Sequence, residues 1–141
     1  MKKLRKKAID FCVKNKHRLT KSRLNVLEII SSSNKPLKAY EILSKLSKFV
    51  KNPKPPTVYR AIDFWKKINF IHKIERLNAY TACDAAHLHQ GTQFMICDDC
   101  GVVIESHFCK LPLLIQRAIE ESRFVQKSWN LEITGICKRC S

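Results

Sequence analysis

The sequence predicts an α+β fold in which an N-terminal winged helix-turn-helix is followed by a small, cysteine-rich α/β domain. Apolar residues recur at helical spacing through the first half of the chain. Residues 1–76 carry 21 Lys and Arg against 5 Asp and Glu, whereas residues 77–141 carry 6 against 7. Six of the seven cysteines lie after residue 82. We therefore predict two domains, 1–82 and 83–141.

The overall composition excludes several classes of protein. With 141 residues, of which 45% are hydrophobic, the chain is long enough to bury a core. It has no apolar run near the ~20 residues that span a bilayer, and no signal-peptide apolar segment follows its basic N-terminus. We expect a cytoplasmic protein without a membrane partner. The net charge of +15 favours a polyanionic partner such as nucleic acid.

Four helices are predicted in the basic half. The first covers about residues 3–15 and buries Cys12, and the second begins after Thr20, which we expect to be its N-cap. A third helix starts near Ala39. Prolines then stop that helix and lead in extended conformation to a fourth helix, which we expect Thr57 to cap.

Two short extended runs follow the helices. Residues 70–74 and 79–83 are rich in β-forming residues and flank Leu77-Asn78, so they predict a hairpin. Helices followed by a hairpin describe a winged helix-turn-helix, with the hairpin as the wing.

Candidate DNA contacts lie at the starts of the third and fourth helices. Arg60 follows rigid prolines at a helix start, from which an arginine can enter the major groove and donate two hydrogen bonds to guanine. Tyr40 and Tyr59 are aromatic residues near the same helix starts. A second interpretation stays open, in which these side chains only pack or pair on the surface. The predicted DNA-binding set is Tyr40, Thr57, Tyr59 and Arg60.

Two Cys-x-x-Cys pairs give the strongest chemical signal. Cys97 and Cys100 form the first pair, and Cys137 and Cys140 form the second. A two-residue gap lets both thiolates turn toward one cation, and two such pairs complete a tetrahedral zinc site. Disulfides are disfavoured in a reducing compartment, and the strand-to-helix setting of a redox Cys-x-x-Cys motif is lacking.

The chain between the two pairs predicts a small sheet packed on a helix. Strands are expected at 94–96 and 102–104, a helix at 111–122 and a further strand within 124–136. A core of this size gains stability from a bound metal and from dimerisation.

Further possible metal ligands lie outside these pairs. They are His72, Cys83, His87, His89, Glu105 and His107. Thiolate with imidazole suits zinc, and one carboxylate would complete a tetrahedral set. In the competing interpretation the histidines are ordinary surface or core residues and Cys83 is a buried hydrophobic residue.

Motifs along nearly the whole chain, and in the same order, resemble those of the ferric uptake regulator family. They are Leu19-Thr20 through Arg23, Ala39-Tyr40, the run from Pro55 to Ala61 and both Cys-x-x-Cys pairs. Residues 54–64 and 72–75 are most similar to the zinc uptake regulators within that family. The resemblance implies a homodimeric, zinc-responsive repressor that binds double-stranded operator DNA, controls zinc uptake genes and has a C-terminal dimerisation domain.

The resemblance also implies two zinc ions per subunit. Cys97, Cys100, Cys137 and Cys140 match the structural zinc site. His72, Cys83, His89 and Glu105 match the regulatory site of the zinc-responsive branch, and Tyr40 and Arg60 match positions that read operator purines. His87 remains an alternative to His89, because the spacing from His89 to Cys97 is one residue longer than in the family.

Other functions compete with this interpretation. Within the family, the alternative is an iron-, manganese- or peroxide-responsive regulator. A zinc deaminase would need an H-x-E element, where this chain has His87-Leu88-His89, and a closed four-cysteine site leaves no catalytic position. A zinc-stabilised interaction module leaves the basic half unexplained. We therefore expect neither enzymatic activity nor a small-molecule substrate.

Overall fold

The computed structural model describes residues 2–83, 91–106 and 110–141. The chain divides into two compact units, Met1–Ala86 and His87–Ser141, whereas the sequence suggested a division after residue 82. The predicted α+β fold is confirmed. The first unit contains α1 (Lys2–Lys14), α2 (Lys21–Ser31), α3 (Ala39–Leu46), α4 (Pro55–Lys67), β1 (Ile71–Ile74) and β2 (Ala79–Ala82). The second contains β3 (Gly91–Cys97), β4 (Val103–Ser106), α5 (Leu113–Glu121) and β5 (Trp129–Gly135).

The starts of α2 and α4 differ in how well the sequence predicted them. Thr20 caps α2 as expected, since its hydroxyl accepts a hydrogen bond from the Arg23 amide at 3.3 Å. The prediction that Thr57 caps α4 is wrong, because α4 begins at Pro55 and its N-cap is Lys54. Proline has the backbone angle of a helix and lacks an N–H, so it fits the first turn instead of preceding it.

The core of the first unit lies where α2, α3 and α4 pack together. Trp65 and Cys12 are fully buried, which confirms the predicted position of Cys12 in the core. The Trp65 indole nitrogen donates to the Arg23 carbonyl oxygen at 2.7 Å, and the Arg23 guanidinium lies 3.8 Å from the centroid of the Phe64 ring. These contacts fix α4 against the start of α2.

The wing is the antiparallel hairpin of β1 and β2. Ile71 pairs with Ala82 and Ile74 with Ala79. Asn78 forms the turn at a φ of 45°, a left-handed conformation that asparagine tolerates. Two backbone hydrogen bonds between Leu37 and Tyr80 join the hairpin to the segment before α3.

The second unit is a three-stranded sheet with β3 at its centre. β3 pairs antiparallel with β4 and parallel with β5. β5 begins at Trp129 although the sequence suggested extended structure from Phe124. The Phe124 amide donates to the Ile119 carbonyl, and Arg123 has a φ of 51°, so this segment terminates α5.

Candidate metal centre and nucleic-acid interface

The parallel pairing of β3 with β5 brings the two Cys-x-x-Cys pairs together. Cys97 is the last residue of β3 and pairs with Gly135, the last residue of β5. The carboxyl ends of parallel strands meet at the same edge of a sheet. The Asp98 amide extends this pairing by donating to the Gly135 carbonyl at 2.8 Å. Both loops that follow the strands therefore lie at one edge.

The four sulfur atoms at this edge have the spacing of a zinc site. Their Sγ atoms lie within 4.8 Å of one another, with 3.6 Å between Cys100 and Cys137 and 3.7 Å between Cys137 and Cys140. Four thiolates at about 2.3 Å from a tetrahedral zinc ion lie about 3.8 Å apart. A disulfide needs only about 2 Å between sulfur atoms. The four cysteines are thus free thiols that fit Zn²⁺.

Backbone amides set the charge of this cysteine cluster. Hydrogen bonds from the Cys100 and Cys137 amides lower the pKa of Cys97 from 9.0 to about 6, because they stabilise its thiolate. The bond from Cys137 N to Cys97 Sγ is 3.3 Å long. Hydrogen bonding with the Cys137 and Cys100 sulfurs raises the pKa of Cys140 to about 12. A backbone hydrogen bond from Arg139 also lowers the pKa of Cys137. Two sulfurs of the cluster are therefore favoured as thiolates, the form that binds a cation.

The first cysteine pair turns on Gly101, and the second carries a residue that the sequence analysis missed. Gly101 has a φ of 68°, which explains why glycine follows Cys100. Arg139 Nη2 donates to Cys100 Sγ at 3.9 Å. A cation placed between two ligand cysteines, as in Cys137-Lys138-Arg139-Cys140, was the signal that could have revealed this contact.

The hairpin holds two of the four residues predicted to bind a regulatory metal. His72 lies opposite Thr81 in the β1–β2 register, and Cys83 follows two residues later, so both lie on one face of the hairpin. Both are buried, and their ligand atoms lie within 4.8 Å of each other. The Cys83 amide donates to the Phe70 carbonyl at 3.0 Å, which extends the pairing to Cys83.

The other two predicted ligands, Glu105 and His89, are not part of the hairpin. Glu105 lies on β4 in the second unit, opposite Phe94, and is half-buried. His89 lies outside the described residues, as do His87 and His107. Thiolate and imidazole on the hairpin already form a pair that suits zinc.

The predicted DNA-binding residues lie around the starts of α3 and α4. Tyr40 and Tyr59 are 67% and 50% exposed. They line a shared groove of about 180 Å³, whose other lining residues are Ala39, Leu43, Pro55 and Val58. Arg60 is exposed, whereas Thr57 is half-buried at the third position of α4.

The same helix presents its apolar side to the core. Val58, Ala61, Ile62 and Trp65 are buried, so the helical period turns Tyr59 and Arg60 to the outside. Within the described residues, no helix is long and apolar enough to cross a membrane.

Comparisons with known proteins agree with this architecture. The model of the ferric uptake regulator family matches residues 14–134. The chain is 34% identical over 134 residues to the zinc uptake regulation protein of Escherichia coli K12, covering 94% of this chain and 78% of that protein. It is 27% identical over 124 residues to the peroxide-responsive repressor PerR of Staphylococcus saprophyticus, covering 87% and 82%.

A solved structure shows the same fold over nearly the whole chain. This structure, a zinc uptake regulator complexed with zinc and DNA, superposes with a TM-score of 0.91 at 31% identity. The match covers 99% of this chain and 93% of the other. The motifs, the cysteine cluster and the fold thus lead to one conclusion, which confirms the resemblance seen in the sequence: the chain belongs to the ferric uptake regulator family.

Proposed function

We propose that this chain is a zinc-responsive transcriptional repressor that binds operator DNA as a homodimer when zinc occupies a regulatory site. Membership of the family makes it a regulator and not an enzyme. The observation that carries the proposal is the buried pair of His72 and Cys83, because an imidazole and a thiol, which are both able to bind a metal, lie together on the wing of a basic helical unit. A metal bound there acts on the hairpin, which is hydrogen-bonded to the segment before α3.

The ligand chemistry of this pair supports zinc as the regulatory metal. Thiolate and imidazole together suit zinc better than they suit ferrous or manganous ions, which favour nitrogen and oxygen ligands. We propose that Glu105 and His89 complete the site, with His87 as the alternative to His89. The identity of 34% with a protein named for zinc uptake regulation supports the same metal.

A second zinc ion per subunit is proposed for the four clustered cysteines. Their sulfur spacing fits a closed tetrahedral shell, in which no position is open for a substrate. This ion has a structural role, because ligand binding at the ends of β3 and β5 stabilises a sheet that buries few side chains.

The charge and shape of the first unit support binding to DNA. The excess of Lys and Arg in residues 1–76 supplies electrostatic affinity for phosphates. Tyr40 and Tyr59 line one groove at the starts of two helices, and Arg60 follows them on the exposed side of α4. These side chains are free of the core, so they can reach base edges in the major groove. The solved zinc uptake regulator to which the chain is similar is complexed with DNA.

The second unit supports assembly into a homodimer. None of the residues of α5 is buried, and its Leu113 and Leu114 are 72% and 79% exposed. Ile104, Ile133 and Ile136 are also exposed on or beside the sheet. Because exposed apolar side chains of this size favour association, we propose that a second copy of the chain covers them.

The proposed switch follows from the position of the regulatory ligands in the chain. His72 and Cys83 belong to the first unit, whereas Glu105 belongs to the second. A cation that binds ligands from both units restricts their relative movement and selects arrangements that fit DNA. Linkage then requires DNA to tighten zinc binding by the same factor.

The family contains a second candidate function, regulation by peroxide, iron or manganese. The identity of 27% with a peroxide-responsive repressor favours it. The presence of Cys83 beside His72 argues against it, because a thiolate shifts the preference of the site toward zinc.

A DNA-binding titration distinguishes the two functions. A duplex is first selected from a random-sequence library with zinc-loaded protein, and its affinity is then measured by fluorescence anisotropy at buffered free concentrations of Zn²⁺, Fe²⁺ or Mn²⁺ under anaerobic, reducing conditions. We expect zinc to restore binding at a lower free concentration than either other metal. Tighter binding with iron or manganese would overturn the choice of zinc, and metal-independent binding would overturn the switch.

A further inference from the structure

The two Cys-x-x-Cys pairs carry opposite charges between their cysteines. Asp98 and Asp99 lie within the first pair, and Lys138 and Arg139 lie within the second. Four thiolates around Zn²⁺ have a net charge of −2, to which the two aspartates add further negative charge. The second pair therefore carries positive charge in sequence, and one of its two cations, Arg139, contacts the anionic cluster.

The four sulfur atoms differ in their surroundings. Cys97 is buried, and its sulfur accepts a hydrogen bond from the Cys137 amide at 3.3 Å. Cys100 is the exposed member of the cluster. Arg139 comes from the other cysteine pair and places Nη2 3.9 Å from the Cys100 sulfur. The buried sulfur thus accepts a hydrogen bond from a backbone amide, and the exposed sulfur accepts one from a cationic side chain.

We propose that Arg139 is a positioning residue for the structural zinc. Its guanidinium holds the thiolate of Cys100 and makes that thiolate less reactive toward alkylating reagents. The proposal rests on the structural zinc proposed above. A guanidinium remains charged at all physiological pH values and is planar, so it can lie over a sulfur and donate to it. It reduces the negative charge on the sulfur, which remains exposed to reagents.

The consequence is chemical protection of the exposed ligand. Iodoacetamide alkylates a cysteine when the sulfur lone pair attacks the methylene carbon and iodide leaves. The product is a neutral thioether, which no longer binds zinc as a thiolate. Because the attack requires electron density on sulfur, a nearby cation slows it. Arg139 should therefore slow the loss of zinc that begins at Cys100.

Three variants in a Cys83→Ser background test this role, so that zinc from the proposed regulatory site does not contribute. They are Arg139→Gln, Arg139→Lys and, as the matched control, Lys138→Gln, which removes an exposed charge between the same two cysteines. Zinc-loaded full-length protein is treated with iodoacetamide. A chromophoric chelator follows zinc release, and mass spectrometry identifies the first cysteine modified.

We expect Arg139→Gln to release zinc about two- to fivefold faster than the parent protein, the range that one exposed charge interaction supports. Arg139→Lys should lie between them, and Lys138→Gln should match the parent. Cys100 should be the first cysteine alkylated in Arg139→Gln. The difference should shrink as salt is added, which a purely structural role would not predict.

Equal rates in Arg139→Gln and Lys138→Gln would overturn the proposal, as would first modification at another cysteine. Zinc content before treatment separates this failure from that of the proposed function: a parent protein without zinc on its four cysteines would refute the structural site itself. If Arg139→Gln alone fails to retain zinc, the result supports a role of Arg139 in holding the ion. The rate of zinc release from Arg139→Lys then measures how far a positive charge at this position protects Cys100.

Discussion

Cys97 pairs with Gly135 at the carboxyl ends of two parallel strands, and this pairing assembles a metal centre from two distant parts of the chain. Cys97 and Cys137 are 40 residues apart in sequence. Parallel strands require a crossover connection, which here contains α5. The loop that the pairing closes has an entropic cost, so a metal that binds both ends favours the folded sheet.

Replacing Cys97 with serine should remove the structural zinc and unfold the second unit. Structural zinc contributes on the order of 10 kcal/mol of binding free energy to small metal-stabilised folds. Metal analysis and size-exclusion chromatography should show lost zinc together with dissociation or aggregation. Cys12→Ala is the control, since Cys12 lies in the core of the first unit and should leave zinc in place. A stable Cys97→Ser dimer with full zinc content would contradict the assignment.

Zinc loading of the cysteine cluster should release fewer than four protons at about pH 7.5. The pKa of Cys97 is lowered to about 6, so this residue is already ionised, whereas the raised pKa of Cys140 keeps its proton in place. At about pH 5, below the pKa of Cys97, its proton must also leave, so the number released rises and zinc affinity falls. Calorimetry in buffers of different ionisation enthalpy measures the count. An unchanged count between the two pH values would contradict a lowered pKa at Cys97.

Gly91→Ala should destabilise the second unit. Gly91 pairs with Trp129, and a Cβ atom at Gly91 would lie 2.0 Å from Trp129 Cε2, far inside van der Waals contact. Displacing the ring should cost about 1–3 kcal/mol in free energy of unfolding, measured by urea denaturation with tryptophan fluorescence. Gly135→Ala at the other end of the strand pair is the control, because a Cβ there meets nothing within 4 Å. Equal stability of the two variants would refute this packing argument.

Arg60→Ala should reduce discrimination between operator and random DNA. A lost bidentate contact with guanine costs roughly 1–3 kcal/mol on the specific site alone. Lys67→Ala, an exposed change at the end of the same helix, should weaken both duplexes alike and lower the salt slope by about 1. Anisotropy titrations at several salt concentrations measure both effects. If Arg60→Ala weakens both duplexes equally, Arg60 contacts only the backbone.

Cys83→Ser should abolish zinc-dependent DNA binding while it leaves the structural zinc and the dimer intact. Serine removes the thiolate that pairs with His72, and it does not touch the four clustered cysteines. Metal analysis, size-exclusion chromatography and the DNA titration together measure these properties. Should the variant respond to the same free zinc concentration as the parent, the regulatory site lies elsewhere, and His87 and His107 become the next candidates.

Local patterns predicted most elements of the first unit. Helical spacing and the Thr20 cap depend on residues within a few positions of each other, so they can be predicted from the sequence. The start of α4 was misplaced because the two prolines can either precede a helix or occupy its first turn. In the structure the prolines occupy the first turn of α4, and the helix packs against α2 through contacts such as the hydrogen bond from Trp65 to Arg23.

By itself the sequence determined the chemistry of this protein: thiolates in two short pairs, a basic first half, and a histidine and a cysteine at the wing. These are properties of residue type and of short spacing, which folding does not change. Only the tertiary structure decided that Cys97 lies beside Cys137, that Gly91 must accommodate Trp129 and that Arg139 reaches Cys100. Such contacts join residues about 40 positions apart in the chain. They follow from strand register, which depends on packing across the whole sheet.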